Sequence, residues 1–339
     1  MDKIKIAILG GTGYTAVELI KILLRHPGVK IEAVTSRQEG TPLISETHPS
    51  LTKRLDLRLE NFDADSLKKR GVQCAFGCLP HGASQSTLPS LLERGIRVVD
   101  LSADYRLRDP KSYQQWYGAE HHDLANLAHA VYGLPEIYGS TINSARLIAN
   151  PGCYPQTGIL GLAPLVAGKH IELKNIIVDS KSGVSGAGRT PKLTTHFPEC
   201  NESVSAYNVG KHRHQPEIEQ ALSDVAGEPV EVIFTPHLIP MDRGIFSTIY
   251  ATPFRAWNEA ELLDLYRSYY AKAPFVRVRE SLPATKDTSY TNFLDICVKS
   301  VRGKIVVLAC EDNLIRGASG IAVQNFNRMF GFEETTGLN

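Results

Sequence analysis

Apolar and polar positions along the chain follow two different rhythms. Over the first 150 residues, short apolar runs alternate with stretches of helical spacing. Residues 3–9, 30–36, 55–59, 72–78 and 96–101 read as strands, each short and bounded by turn-forming or charged residues. Residues 14–26 repeat apolar positions every three to four residues and stop at Pro27-Gly28. Residues 63–70 and 83–94 have the same helical character. Strands alternating with helices predict an α/β domain built on a Rossmann-type, doubly wound parallel sheet. The rhythm changes after residue 150: 171–182, 230–236, 245–254, 292–300 and 304–311 are longer β-rich runs, separated by only two helix candidates, 215–226 and 259–271. This predicts a second α+β domain with a mostly antiparallel sheet. Residues 314–330 return to helical spacing.

Composition agrees with two soluble domains, since 339 residues correspond to two domains at roughly 100–200 residues each. Hydrophobic residues make up 42% and charged residues 22%, which excludes a largely disordered chain. The 37 Lys and Arg balance 36 Asp and Glu, so no net field draws the chain to nucleic acid or an anionic membrane. The apolar run at the N-terminus is short and broken by Lys5, unlike a signal-peptide core. No stretch reaches the roughly 20 apolar residues of a membrane helix. The six cysteines show no repeated pair spacing, which argues against a disulfide framework and for a reducing, cytoplasmic setting. Cys74 and Cys78 lie in a strand-like run without a second ligand pair, so no metal site is expected.

Candidate chemistry gathers at a few turns. Gly10-Gly11-Thr12-Gly13-Tyr14-Thr15-Ala16 leaves the first strand and opens the first helix, where backbone N–H groups and the helix dipole suit a pyrophosphate. An ordinary tight turn is the alternative; the flanking strand and helix favour the nucleotide. The second strand ends Thr35-Ser36-Arg37 rather than in Asp or Glu. A hydroxyl followed by a guanidinium suits the 2′-phosphate of NADP better than a bare ribose.

Asn150-Pro151-Gly152-Cys153-Tyr154-Pro155 stands between a strand at 145–149 and an apolar helix at 157–167. A thiol just ahead of a helix N-terminus is stabilised as a thiolate, and the same N–H groups suit an oxyanion. The other reading of a lone cysteine is a small buried hydrophobe; Cys153 fits it least of the six. His212-Arg213-His214 precedes the helix at 215–226, and at such a junction one of the two histidines is expected to face Cys153. No third ligand lies at a zinc-like spacing from them. Ser182-Gly183-Val184-Ser185-Gly186-Ala187-Gly188-Arg189 is an N–H-rich loop ending in a cation, suited to an acyl or phosphate group or simply a mobile turn. Asp100-Leu101-Ser102-Ala103-Asp104-Tyr105-Arg106 ends a strand of the parallel sheet, where such folds place ligands. Arg106 and Arg108 either bind phosphate or pair with Asp104 and Asp109.

Taken together, GGTGYTAVEL, LPHG, DLSADYRL, YGLPE, NPGCYPQTG, SGVSGAGR, GKHRHQPEI, FTPHLIP with MDRGI, and DNLIRGASGIAVQN span essentially the whole chain. In this order they resemble the N-acetyl-gamma-glutamyl-phosphate reductases of arginine biosynthesis. The likeness to aspartate-semialdehyde and phosphorylating glyceraldehyde-3-phosphate dehydrogenases is more distant. Two departures occur: Ala16 replaces a common third glycine, and Gln156 interrupts the usual PGCYPT run.

The resemblance implies that Cys153 attacks an acyl phosphate, giving a thioester that NADPH reduces to an aldehyde. It assigns His212 as general acid/base with a pKa near neutrality, His214 in reserve. It implies Gly10, Thr12, Gly13, Tyr14 and Thr15 as pyrophosphate contacts, Ser36 and Arg37 as the 2′-phosphate site, and Pro80 and Asn313 as further cofactor neighbours. Arg106, Ser182, Arg189 and His214 become substrate contacts. The expected division is 1–150 with 313–339 for NADP(H), and 151–312 for catalysis and assembly into a homodimer or homotetramer. The rival readings are an N-acyl-aminoadipyl-phosphate reductase of lysine biosynthesis, an aspartyl-phosphate reductase, which the HRH run and YGLPE fit less well, a non-catalytic NADP-binding sensor, and a cofactor-free thiol hydrolase.

Overall fold

The computed structural model describes residues 3–339. The chain forms two compact units, Met1–Pro151 with Ala318–Asn339, and Gly152–Gly317.

The first unit is a seven-stranded parallel sheet with strand order β3-β2-β1-β4-β5-β7-β6. Its strands are β1 (Ile4–Leu9), β2 (Val29–Thr35), β3 (Leu59–Glu60), β4 (Cys74–Gly77), β5 (Arg97–Asp100), β6 (Val131–Tyr132) and β7 (Leu147–Ala149). The central strands are buried on both faces, so they read as continuous apolar runs rather than alternating ones. The strand order reverses between β1 and β4, and ligands of such sheets sit beyond the strand ends at that reversal. Helix α1 (Tyr14–Leu23) follows β1 directly. The strand expected at 55–59 shrinks to the two residues of β3. The helix expected over 83–94 divides into Ser84–Thr87 and Pro89–Glu93, because Pro89 has no N–H to continue the ladder.

The second unit carries a mixed sheet ordered β12-β13-β14-β11-β8-β10-β9, mostly antiparallel, with β8/β10 and β12/β13 parallel. Its strands are β8 (Ile176–Ser182), β9 (Ser205–Ala206), β10 (Val232–Leu238), β11 (Ile245–Ala251), β12 (Val276–Val278), β13 (Leu294–Val301) and β14 (Lys304–Glu311). Helix α2 (Cys153–Ala167) is apolar all round and buried from Tyr154 to Val166. It packs against β11, β14 and α3 (Gln215–Ala226). Gly161 allows the close approach to the sheet, since a Cβ there would lie 2.6 Å from Ile249 Cδ1. Helix α4 (Glu259–Tyr269) adds Tyr266, whose Oη donates to Gly161 O at 2.6 Å.

The opposite face of this sheet keeps an apolar row: Ile233, Ile177 and Tyr250 stand in register on β10, β8 and β11 and are exposed. A π-helical turn at Ile315–Ser319 leads into α5 (Gly320–Phe330), which packs on α1 and β5 of the first unit.

Candidate active site

The turn that carries Cys153 differs from its sequence reading in one respect. Helix α2 begins at Cys153 itself rather than at 157, with Gly152 as its N-cap. Pro155 still falls in the first turn, where a missing N–H breaks no bond. No side chain caps the helix, but the Gly152 N–H donates to Glu217 Oε1 at 2.7 Å. That carboxylate is 1% exposed and lies in the first turn of α3. The Gly152 N–H is thereby committed, and an oxyanion must be met further along the turn. Cys153 is half-buried. Burial pushes the Cys78 and Cys310 thiols up to about 12 and raises Cys74 and Cys297 as well, which removes them as nucleophiles near neutral pH.

Around Cys153 the second unit builds an aromatic cage. The Tyr154 ring meets His212, His214 and Phe234 edge-on, at centroid distances of 5.6, 6.0 and 5.3 Å. His212 also packs against Tyr207 at 5.5 Å and His214 at 4.8 Å. Both histidine rings therefore share one cluster with Tyr154; the sequence reading has at most one of them facing Cys153, the other touching substrate or fixing the loop. The reason is that 211–214 is a loop pinned at both ends: Tyr207 N–H bonds Pro236 O at the edge of β10, and His214 immediately precedes α3.

His212 does not have the near-neutral pKa expected of it. Burial, reinforced by Arg213, lowers it to about 4. Its Nδ1 accepts the His214 backbone N–H at 3.1 Å. The neutral ring is therefore the tautomer with its proton on Nε2. Tyr207 of this cage escaped the sequence reading. Tyr207 Oη donates to Tyr154 Oη at 2.9 Å, and Tyr154 Oη donates to His237 O at 3.2 Å. Burial raises both tyrosines, so they remain hydroxyl donors at neutral pH. Tyr207 sits in a polar loop with no motif to mark it.

A backbone turn closes the other side. At Gly317 an added Cβ would lie 2.8 Å from Cys153 Cβ and 2.9 Å from Glu311 Oε1. The turn is built by Asp312, fully buried, whose Oδ1 accepts the N–H groups of Leu314 and Ile315 and whose carbonyl accepts that of Gly317. Asn313 packs with the second unit: its Oδ1 accepts Gly244 N–H at 2.7 Å and its Nδ2 donates to Ser185 Oγ at 3.1 Å. Ser182 is buried at the end of β8 and donates to Gly183 O, whereas Arg189 is exposed at the far end of its loop.

In the first unit, Gly10 has φ +85° and would place a Cβ 2.5 Å from Cys78 O, so only glycine fits where β1 and β4 diverge. The N–H groups of Gly10 and Gly11 bond Thr35 O, and buried His48 bonds Gly11 O at 2.8 Å. Gly13 caps α1 with open space over its Cα, and the first turn of α1 carries no acidic residue. A polyanion at this helix start meets N–H groups and a positive dipole end without steric obstruction. Ser36 and exposed Arg37 follow β2 on the same loop edge.

Pro80 begins the turn after β4, where Asp104 accepts the N–H groups of Gly82, Ser84 and Gln85. Arg106 is buried and donates to the carbonyls of Asn150 and Leu101. Among the described residues no cluster of three or more His, Cys, Asp or Glu is arranged to hold a metal ion, and no helix is long and apolar enough to cross a membrane.

A parallel nucleotide-binding sheet followed by a mixed-sheet unit with a cysteine at the head of its buried helix defines a dehydrogenase of the semialdehyde type. Residues 5–145 match the family described as "Semialdehyde dehydrogenase, NAD binding domain", and 153–313 match "Semialdehyde dehydrogenase, dimerisation domain". Aspartate semialdehyde dehydrogenase II of Vibrio cholerae, solved with ASA, shares the fold at a TM-score of 0.74 and 15% identity, covering 98% of this chain and 99% of its own. The Candida albicans enzyme, solved with NADP, gives 0.73 at 14% identity, covering 97% and 99%. An N-acetyl-gamma-glutamyl-phosphate reductase of Rhodopirellula baltica is 50% identical over 99% of both chains. That of Moorella thermoacetica is 48% identical over 99% of this chain and 98% of its own. The chain belongs to the family of N-acetyl-gamma-glutamyl-phosphate reductases.

Proposed function

We propose that the protein reduces N-acetyl-gamma-glutamyl phosphate to N-acetylglutamate 5-semialdehyde, releasing phosphate. The observation that carries the reading is the half-buried Cys153 at the start of α2, followed by Tyr154, whose ring packs edge-on against the neutral His212 imidazole. The Cys153 thiolate adds to the acyl carbon. The carbon–oxygen bond to phosphate then breaks, leaving a thioester on Cys153. Bound NADPH supplies the hydride for the thioester carbon. The resulting alkoxide collapses, the carbon–sulfur bond breaks and Cys153 is again a thiolate.

His212 is the proposed acid/base. At rest its Nε2–H is a donor, and a thiolate or alkoxide beside it would raise its affinity for a proton. His214, Ser182, Arg189 and Arg106 are proposed substrate contacts. Gly10, Thr12, Gly13, Tyr14, Thr15, Ser36, Arg37, Pro80 and Asn313 are proposed for the cofactor. On this reading the first unit holds NADP(H) and the second performs the chemistry. The apolar row Ile233, Ile177 and Tyr250 supports self-association through the outer sheet face, as a homodimer or a homotetramer. The cytoplasm is the proposed compartment.

The direct experiment runs the reaction backwards. With N-acetylglutamate 5-semialdehyde and NADP, absorbance of NADPH should appear only when phosphate or arsenate is present. Silence from folded, NADP-binding protein would point to the sensor, and absence of any NADPH binding to the hydrolase. Faster turnover of the aminoadipate homologue, with its one extra methylene, would reassign the substrate.

Arg37→Ala should weaken NADPH about 10- to 100-fold, the worth of one charge-assisted contact, and NADH by less than about threefold. Equal losses for the two cofactors would remove Arg37 from the 2′-phosphate site.

His212 also makes a pH prediction. Its folded value of about 4 lies below the ordinary 6.5, so as pH falls through that window the unfolded chain binds the proton first. Folding stability should therefore decline from pH 6.5 towards 4 more steeply in the wild type than in His212→Asn, read as melting temperature against pH. Identical slopes would mean that His212 titrates normally.

A further inference from the structure

Gln156 stands three residues after Cys153, on the same face of α2. Its side chain is completely buried. Its Nε2 donates to Arg316 O at 3.0 Å, across 160 residues of sequence. Its Oε1 is buried too and has no hydrogen-bond partner among the described residues. A half-satisfied amide in an apolar helix is costly, so a residue serving packing alone would do better without it.

The carbonyl that Gln156 holds belongs to the residue before Gly317, where an added Cβ would lie 2.8 Å from Cys153 Cβ. Asp312 ties the start of this π-helical turn through three backbone N–H groups, and Gln156 ties it from the helix side. Such turns carry irregular backbone that has to be held from outside.

We infer that Gln156 is a positioning residue for the nucleophile: by holding the Arg316 carbonyl it seats Gly317 against Cys153 and so fixes the thiol's direction of attack. This rests on Cys153 being the nucleophile. The helix supplies the thiol, the turn supplies the wall behind it, and Gln156 sets the gap between them. A loosened wall leaves Cys153 chemically intact but lets it swing away from the near-attack geometry.

The test uses Gln156→Met, which keeps the volume and removes the donor, and Gln156→Asn, which keeps the amide but shortens its reach. Each is measured in the reverse assay and by alkylation of Cys153 with iodoacetamide, the labelled residue located by mass spectrometry. For folded protein with wild-type NADPH affinity, kcat should fall about tenfold or more, the scale of a misaligned reacting group, with KM for the semialdehyde within about threefold. Alkylation of Cys153 should meanwhile become about threefold faster. Turnover and thiol access moving in opposite directions is the signature expected of misdirection. Wild-type kcat, a change confined to KM, or turnover and alkylation falling together overturns the proposal, as does failure of both variants to fold, which would make Gln156 a folding contact only. Cys153→Ser is assayed alongside: if it retains turnover, the nucleophile reading itself fails, whatever Gln156 does.

Discussion

Cys153→Ser is expected to reduce turnover by roughly 10⁴-fold or more, the scale seen when a covalent nucleophile is lost, while NADPH still binds with near wild-type affinity. A serine hydroxyl fills the same space, but it is far less acidic than a thiol and supplies almost no anion near neutral pH. The thiol is different because its own acidity, aided by the start of α2, supplies the anion. The affinity expectation follows from the chain's architecture: the Gly-rich turn belongs to the first unit and Cys153 to the second. NADPH titration by fluorescence and the reverse assay measure the two quantities separately. A serine variant with more than a few per cent of wild-type turnover would place the nucleophile elsewhere.

Gly317→Ala should press a methyl group directly against the side chain of Cys153. The new Cβ would meet Cys153 Cβ at 2.8 Å, Glu311 Oε1 at 2.9 Å and Asp312 O at 3.3 Å. None can yield easily: Glu311 and Asp312 are fully buried, and Cys153 heads a buried helix. Overpacking of this kind costs about 1–3 kcal/mol of stability. The larger effect is on catalysis, since a displacement near 1 Å at the reacting group lowers rate by roughly 100-fold. Melting temperature and kcat should therefore both fall, kcat by much more than the stability loss explains. Gly158, in the same helix as Cys153, is the comparison, since its added Cβ would meet only the Ile218 side chain at 3.3 to 3.6 Å. If Gly158→Ala harms turnover as much as Gly317→Ala, the steric argument is wrong.

Much of this molecule was readable from local pattern. Buried parallel strands are continuous apolar runs, so β1, β2, β4 and β5 were legible to within a residue or two. The strand at 304–311 and the helix at 215–226 coincide with β14 and α3. The missed strands are short: β6, β9 and β12 have only two or three residues, too few for any periodicity; the helices Pro110–Tyr117 and Pro135–Ile142 were missed as well. The split at Pro89 and the early start of α2 were misjudged because local propensity yields to packing at helix ends.

The sequence alone determined what depends on neighbours a few residues apart: two rhythms, a glycine turn between strand and helix, a cysteine ahead of an apolar helix. The order of its motifs was enough for the family as well. Only tertiary structure decided the electrostatic state of the site and its walls. His212 is held neutral because burial strips its water, and its tautomer is set by a backbone N–H two residues on. Tyr207 joins Tyr154 across 53 residues, Glu217 reaches Gly152 across 65, and Gln156 reaches Arg316 across 160. Desolvation and hydrogen bonding act through space over a few ångströms, and only the folded chain converts those separations in sequence into contact.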